Sequence, residues 1–228
     1  MQNKTPNLTP RLLSVASYVR SGSFVSDVGT DHAYLPIYLV LSGKASGAVA
    51  SDINEGPYMR ALLNIREHNL EKKITAVLTP GLLEIEKYSP DDILICGMGG
   101  ELIASIIEDA PFTKNSSIRL VLQPMTHSEI LRKYLIDNGF IIVGEALAKE
   151  EKIYEIICAE YGAEKCEAYT EIELLLGKRN IEHGGELFSE FIDRHLLVLK
   201  KIYTSKSSAG ADTSNEERLI KKLEELKK

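Results

Sequence analysis

FIIVGEAL (Phe140–Leu147) and IYEIICAEY (Ile153–Tyr161) are two strand-like runs separated only by AKEEK. A parallel pair needs a crossover of a dozen or more residues, so these two strands must be antiparallel. Upstream the pattern is different. FVSDVG (Phe24–Gly29), SGAVASDI (Ser46–Ile53), KITAVLT (Lys73–Thr79), DDILICG (Asp91–Gly97) and IRLVLQP (Ile118–Pro124) read as strands. Helical segments lie between them: YLPIYLVLS, EGPYMRALLNIREHN entered through Pro57, GGELIASIIEDA, and a run that stops at Gly139. Thr126-His-Ser-Glu129 has the spacing of a capping box opening that last helix. Strands alternating with helices predict a parallel sheet covered on both faces. The chain is therefore expected to be α/β, a mostly parallel sheet ending in one antiparallel hairpin.

That layout is the Rossmann-like sheet of a class I methyltransferase, and the all-parallel dinucleotide-binding sheet of dehydrogenases lacks it. A helix over about Thr9–Arg20 precedes the sheet, with Thr9 as N-cap and Pro10 at the first helical position. Leu12, Val15, Ala16 and Val19 fall on one face of it. After Tyr161 strand alternation stops. Glu186–Lys206 reads as a long helix with Phe188, Ile192, His195, Leu199 and Ile202 near heptad spacing. SSAGADTSN is a polar break, and EERLIKKLEELKK carries Leu219, Leu223 and Leu226 on one stripe. The expected organisation is a sheet domain over residues 1–161 and a coiled-coil-like helical hairpin over 162–228.

Composition agrees with a folded chain. Of 228 residues, 44% are apolar and 26% charged, and the 16 Gly and 8 Pro show no period. No apolar run is long enough to cross a bilayer. The first residues lack a basic patch followed by an apolar core, so no secretory signal is expected. Cys96, Cys158 and Cys166 are too scattered for a disulfide framework, and Cys96 and Cys158 read as small buried hydrophobes. The His residues do not cluster with Cys or acids at metal-ligand spacing. These features predict a cytoplasmic protein without a metal. A net charge of -6 argues mildly against a nucleic-acid partner, but only the local patch touches phosphates.

Four turns at strand ends could carry chemistry. The first is Asp27-Val-Gly29-Thr30-Asp31-His32. A Gly there allows close backbone approach to a nucleotide-like ligand. An acid before it suits a cationic amino group better than a dinucleotide's phosphates, and G-x-G-x-x-G is missing. The same turn also reads as a plain strand-to-helix turn with a capping Asp. The second is Asp52, placed to accept from both ribose hydroxyls or to cap the helix at Glu55. The third is Gly97-Met98-Gly99-Gly100, where Met98 is a soft wall near a sulfonium or a core residue in a loose loop. The fourth is Gln123-Pro124-Met125-Thr126-His127. Gln123 offers a donor and an acceptor to a base edge, and His127 reads as an exposed helix-start residue.

LTPRL, DVGTDHAYLP, KASGAVASDI, GPYMRA, LICGMGGELI and LQPMTHSEILR together resemble the bacterial tRNA (adenine-22-N1)-methyltransferase family, TrmK, in order over the first 160 residues or so. The resemblance implies a Rossmann-like S-adenosylmethionine domain followed by a helical, coiled-coil-like domain. It implies tRNA as partner, no membrane and no metal, with a monomer or weak dimer expected. Expected cofactor residues are Arg11, Asp27, Gly29, Thr30, His32, Asp52, Ile53, Gly81, Leu82, Gly97, Met98 and Gly99. Asp31, Gln123 and Met98 are the expected catalytic group. The sequence departs from the family at two places. Pro80 replaces the usual Asp before Gly81-Leu82, which leaves adenine contact to the Gly81 or Leu82 backbone, and Met125 replaces a frequent Asn. Lys178, Arg179, Arg194, Lys200, Lys201, Lys206, Lys221 and Lys222 could grip phosphates, or simply solvate a helix face among as many acids. The competing readings are a methyltransferase for another RNA or a small molecule, a nicotinamide oxidoreductase, and a non-catalytic RNA-binding module with a degenerate pocket.

Overall fold

The computed structural model describes residues 5–162 and 168–227. Seven strands, β1 (Ser23–Val28), β2 (Ala45–Asp52), β3 (Ile74–Leu78), β4 (Asp92–Met98), β5 (Arg119–Pro124), β6 (Phe140–Lys149) and β7 (Ile153–Tyr161), form one sheet. Their order is β3-β2-β1-β4-β5-β7-β6. The first five are parallel, whereas β7 runs antiparallel to both β5 and β6. The hairpin read from residues 140–161 is thus the final pair, and the sheet is that of a class I methyltransferase.

β1 is buried nearly throughout and β4 over its first four residues (92–95) because both faces of the sheet are covered, which is why these runs do not alternate. Helices α1 (Pro10–Tyr18), α2 (Tyr34–Leu41) and α3 (Glu55–Glu67) lie on one face, and α4 (Gly100–Glu108) and α5 (Ser128–Asp137) on the other. Val15, Leu39, Ile65, Leu94 and Ile156 are among the buried residues of the first face. The Thr9 hydroxyl caps α1 as its sequence predicts, and Pro10 opens the helix. Arg20, just past α1, grips buried Asp92 through its own N–H and its Nε, both at 2.7 Å. It thereby ties α1 to the amino-terminal end of β4.

One local expectation fails at the start of α5. Thr126 does not cap α5. The N-cap is His127, left-handed at φ 54° with no side-chain cap bond, and the Thr126 carbonyl accepts from Gly100 N–H at 2.8 Å. A capping box does occur at Thr170, whose hydroxyl accepts from Glu173 N–H while Glu173 accepts from Thr170 N–H.

The chain divides into two compact units, Met1–Glu167 and Ala168–Lys228. The division expected after Tyr161 falls beside residues 163–167, which lie outside the described residues, as does Cys166. The second unit contains α6 (Glu171–Leu176), α7 (Lys178–His183), α8 (Glu186–Ser208) and α9 (Ser214–Leu226). Lys227–Asp193, Lys200–Glu224 and Lys206–Glu216 ion pairs run in opposite senses along α8 and α9, which makes the two an antiparallel hairpin. Its buried stripe is Phe188, Phe191, Ile192 and Leu196 against Leu219 and Leu223. Ile202 and Leu226, expected on the stripes, are exposed.

Candidate active site

The strand order reverses between β1 and β4, and ligands of such sheets bind in the crevice at the carboxyl ends of those strands. The β1–β4 ladder stops at Val28 opposite Ile95, and beyond it the strands part. A pocket of about 350 Å³ opens there, lined by Arg11, Asp27, Gly29, Thr30, Asp31, His32, Cys96 and Gly97 among others. A larger cleft of about 830 Å³ opens at the opposite end of the sheet, beside Pro90, Asp91 and Ile118, away from the reversal point.

Asp27 ends the buried part of β1 and is 6% exposed. Burial, its largest influence, and the charge of nearby Asp52 raise its carboxyl from 3.8 to about 6. The Thr30 hydroxyl opposes this rise, although Oγ1 makes no hydrogen bond of full geometry. Among the described residues no cation pairs with Asp27. Arg11 enters the same pocket from α1. Its Nη1 donates to Gln123 Oε1 at 2.5 Å, its guanidinium lies 5.3 Å from the Tyr154 ring centroid, and its Nε is buried without a partner. No carboxylate pairs with that guanidinium among the described residues. The pocket thus presents an acid lacking a cation and a cation lacking an acid. An α-amino acid moiety, ammonium at one end and carboxylate at the other, complements both.

The glycines serve different purposes. Gly29, at φ 76°, receives the Met98 methyl so closely that a Cβ would sit 2.4 Å from it. Gly97, at φ 78°, is the extra residue of a bulge between the Cys96–Gln123 and Met98–Pro124 pairs and faces open space. Gly99 is the N-cap of α4, and Gly100 is a packing requirement, since a Cβ there would lie 2.2 Å from the His127 carbonyl.

Other expected residues lie along the same edge or behind it. Asp52, 8% exposed, accepts from Asn54 N–H at 2.8 Å; Asn54, not Asp52, is the N-cap of α3. Ile53 is 64% exposed beside it. After β3, Pro80 is exposed and Gly81 packs against Ile106 of α4. Leu82 is buried, so only its backbone is available to a ligand.

Two of the expected catalytic side chains are already engaged within the protein. Gln123 is fully buried, and its amide is taken up internally. Oε1 accepts from Arg11 and from Gly97 N–H (3.2 Å), while Nε2 donates to the Pro124 carbonyl (2.8 Å) and faces Met125 Sδ (3.6 Å). It is a strut joining the ends of β4 and β5, not a group facing a base edge. Asp31 is exposed, but Oδ1 is held by Arg60 Nη2 and Nε at 2.5 and 3.2 Å. Cys96, expected in the core, lines the pocket; Cys158 is buried, its thiol pushed up to about 12 mainly by burial. Tyr34 and Arg60 lie within the DVGTDHAYLP and GPYMRA segments but take no role from the sequence alone, and Tyr154 reaches Arg11 only through chain folding.

This sheet order, with a pocket at its reversal point that complements an α-amino acid moiety, is that of a class I Rossmann-like methyltransferase. Residues 25–228 match the family described as TrmK, tRNA (adenine(22)-N(1))-methyltransferase. The tRNA (adenine(22)-N(1))-methyltransferase of Bacillus subtilis strain 168 is 36% identical over 221 residues, 95% of this chain and 92% of that one. The crystal structure of B. subtilis TrmK superposes with a TM-score of 0.82 at 34% identity, covering 97% of this chain and 96% of that one. A candidate tRNA (m1A22) methyltransferase from Streptococcus pneumoniae, in complex with S-adenosyl-L-methionine, gives 0.86 at 33% identity over 97% of this chain and 100% of that one. This chain belongs to the TrmK family of tRNA (adenine(22)-N(1))-methyltransferases.

Proposed function

We propose that this chain methylates N1 of the adenine at position 22 of tRNA, using S-adenosylmethionine. The observation that carries the cofactor reading is the meeting in one pocket of a buried acid without a cation partner, Asp27, and a guanidinium without a direct carboxylate contact, Arg11. Asp27 would hold the ammonium of the methionine moiety and Arg11 its carboxylate. Asp52 would accept from the ribose hydroxyls, Ile53 would cover a face of the cofactor adenine, and the Gly81–Leu82 backbone would meet its edge. Gly29, Thr30, His32, Gly97 and Gly99 would let the ligand lie close to the backbone, and Met98 would form a soft wall beside Gly29. Bound there, S-adenosylmethionine supplies an electrophilic methyl group on a sulfonium.

Adenine N1 already has a free lone pair, so no general base is needed. The chain's task is to hold the base in line and exclude water. The base must leave its stack to enter the pocket. With Asp31 paired to Arg60 and Gln123 buried, the acceptor for the exocyclic N6 hydrogens is the backbone at Cys96–Gly97. Gln123 fixes that backbone through Gly97 N–H.

The second unit serves as the tRNA grip in this reading. Lys201, Lys221 and Lys222 make no ion pair among the described residues and are available to phosphates. The reaction belongs in the cytoplasm with its tRNA, carried out by a monomer or weak dimer. Among the described residues, no helix is long and apolar enough to cross a membrane.

The test is methyl transfer from labelled S-adenosylmethionine to unmodified tRNA carrying adenine at position 22, beside a guanine-22 control. Label in the first alone is expected. Label in neither, with cofactor bound, means another substrate; no cofactor binding means the pocket is degenerate.

A further inference from the structure

His32 enters the proposed cofactor site through its backbone, whereas the ring pair it forms with Tyr34 is an exposed feature with no part in that reading. His32 and Tyr34 stack with centroids 5.0 Å apart and planes within 4°. Both line the pocket, yet Tyr34 is 45% exposed and the His32 side chain 36%. Ala33 between them is left-handed at φ 56°, a strained state for a residue with a Cβ. The segment is held from α3 at two points, by Arg60 on Asp31 and by Asn64 Nδ2 donating to the His32 carbonyl at 2.9 Å. His32 Nε2 also lies 3.5 Å from Asp31 Oδ2. A flat pair of rings, clamped from behind at the cost of backbone strain and left open to solvent at the pocket mouth, is built to receive another flat ring.

We infer that Tyr34, backed by His32, is the stacking platform for the extruded target adenine. This rests on the tRNA-methylating reading. Any base has a π-face, so the platform holds the base while hydrogen bonds at the pocket choose which base reacts. Tyr34 is a positioning residue by this account: it orients the base plane so that N1 faces the methyl donor.

The test uses full-length Tyr34→Phe, Tyr34→Leu and Tyr34→Ala variants. Phe keeps the π-face, Leu keeps apolar bulk without it, and Ala removes both. Three quantities are read: kcat/KM for tRNA, the Kd for S-adenosylmethionine, and the emission of 2-aminopurine placed at position 22. Phe should stay near wild type, while Leu and Ala should lose about 5- to 150-fold in kcat/KM, the range for one stacked base. The cofactor Kd should remain within about twofold, since the Asp27 and Arg11 contacts are intact. Bound 2-aminopurine should be quenched by wild type and bright with Ala. Leu performing as well as Phe, equal emission in wild type and Ala, or a loss confined to cofactor affinity would each overturn the inference. Failure of the wild-type protein to methylate adenine 22 would instead overturn the function on which it rests.

Discussion

Replacing Asp27 with Asn should make the ligand-free protein more stable and the cofactor complex weaker. The acid is buried with no cation, and its carboxyl is raised from 3.8 to about 6. That rise corresponds to about 3 kcal/mol of native-state destabilisation by the charged form. The sign follows from proton uptake. Because the folded value lies above the unfolded one, the native state binds the proton more tightly. The destabilisation is full above pH about 6, shrinks as pH falls from 6 toward 3.8, and is gone below that. Asn removes the charge at every pH. Without ligand at pH 7, the variant should melt about 6–12 °C higher, taking 2–4 °C per kcal/mol for a chain of this size. The gap should close near pH 4. With saturating S-adenosylmethionine the gap should narrow by about 1.4–3 kcal/mol and at most close, since wild type regains an ion pair that Asn cannot form; the variant's Kd should rise about 10- to 150-fold. Melting curves from pH 4 to 8, with and without cofactor, measure all of this. A ligand-free variant no more stable than wild type at pH 7, or a gap independent of pH, would refute the reasoning about Asp27. Unchanged cofactor affinity would remove its assigned partner.

Arg132 is fully buried between Glu145 (Nε to Oε1, 2.6 Å) and Glu155, so Arg132→Met should cost about 3–5 kcal/mol in urea unfolding at pH 7. Adding Glu145→Gln and Glu155→Gln should recover most of that, because the loss comes from stranded carboxylates. Gln123→Leu leaves Gly97 N–H and Arg11 Nη1 without their shared acceptor, and should cost about 1–3 kcal/mol by denaturation. It should also lower kcat, because the Cys96–Gly97 backbone is no longer held. Lys200→Ala breaks an exposed pair with Glu224 and should change stability by less than about 1 kcal/mol. A larger loss by thermal melting would mean that the helical hairpin depends on its surface charges.

The strand-end acids, the turn glycines and the closing hairpin were legible because each depends on short-range chemistry. A five-residue connection forbids a crossover wherever it occurs. Asp27 and Gly29 were legible as a site turn, but the absence of a cation near Asp27 was not, because Arg11 and Arg60 approach from other elements. Gln123 shows the limit most clearly. Its composition suits base reading, yet its burial is decided by β5 lying centrally between β4 and β7. Asp31 meets Arg60 across 29 positions, with no periodicity to announce it. Thr126 had the right spacing for a cap, but the close approach of Gly100 to His127 set the backbone there. On α8 the register followed Phe191 and Leu196 beside Phe188 and Ile192, so a strict heptad missed half the buried stripe.

Because β7 is antiparallel, the β6–β7 turn returns to the carboxyl edge of the sheet, where Glu150 Oε1 accepts from Arg11 N–H at 2.7 Å, 139 residues away. Arg11, which lines the pocket from the first helix, is therefore positioned by the last hairpin of its unit. On the ribosome, Arg11 emerges long before Gln123, Glu150 and Tyr154 exist to place it. A nascent chain carrying β1 and β4 has the acid but no fixed guanidinium. With Arg11 holding the cofactor carboxylate as proposed, full cofactor affinity awaits the sheet's last strand, and ligand capture marks the completion of the unit.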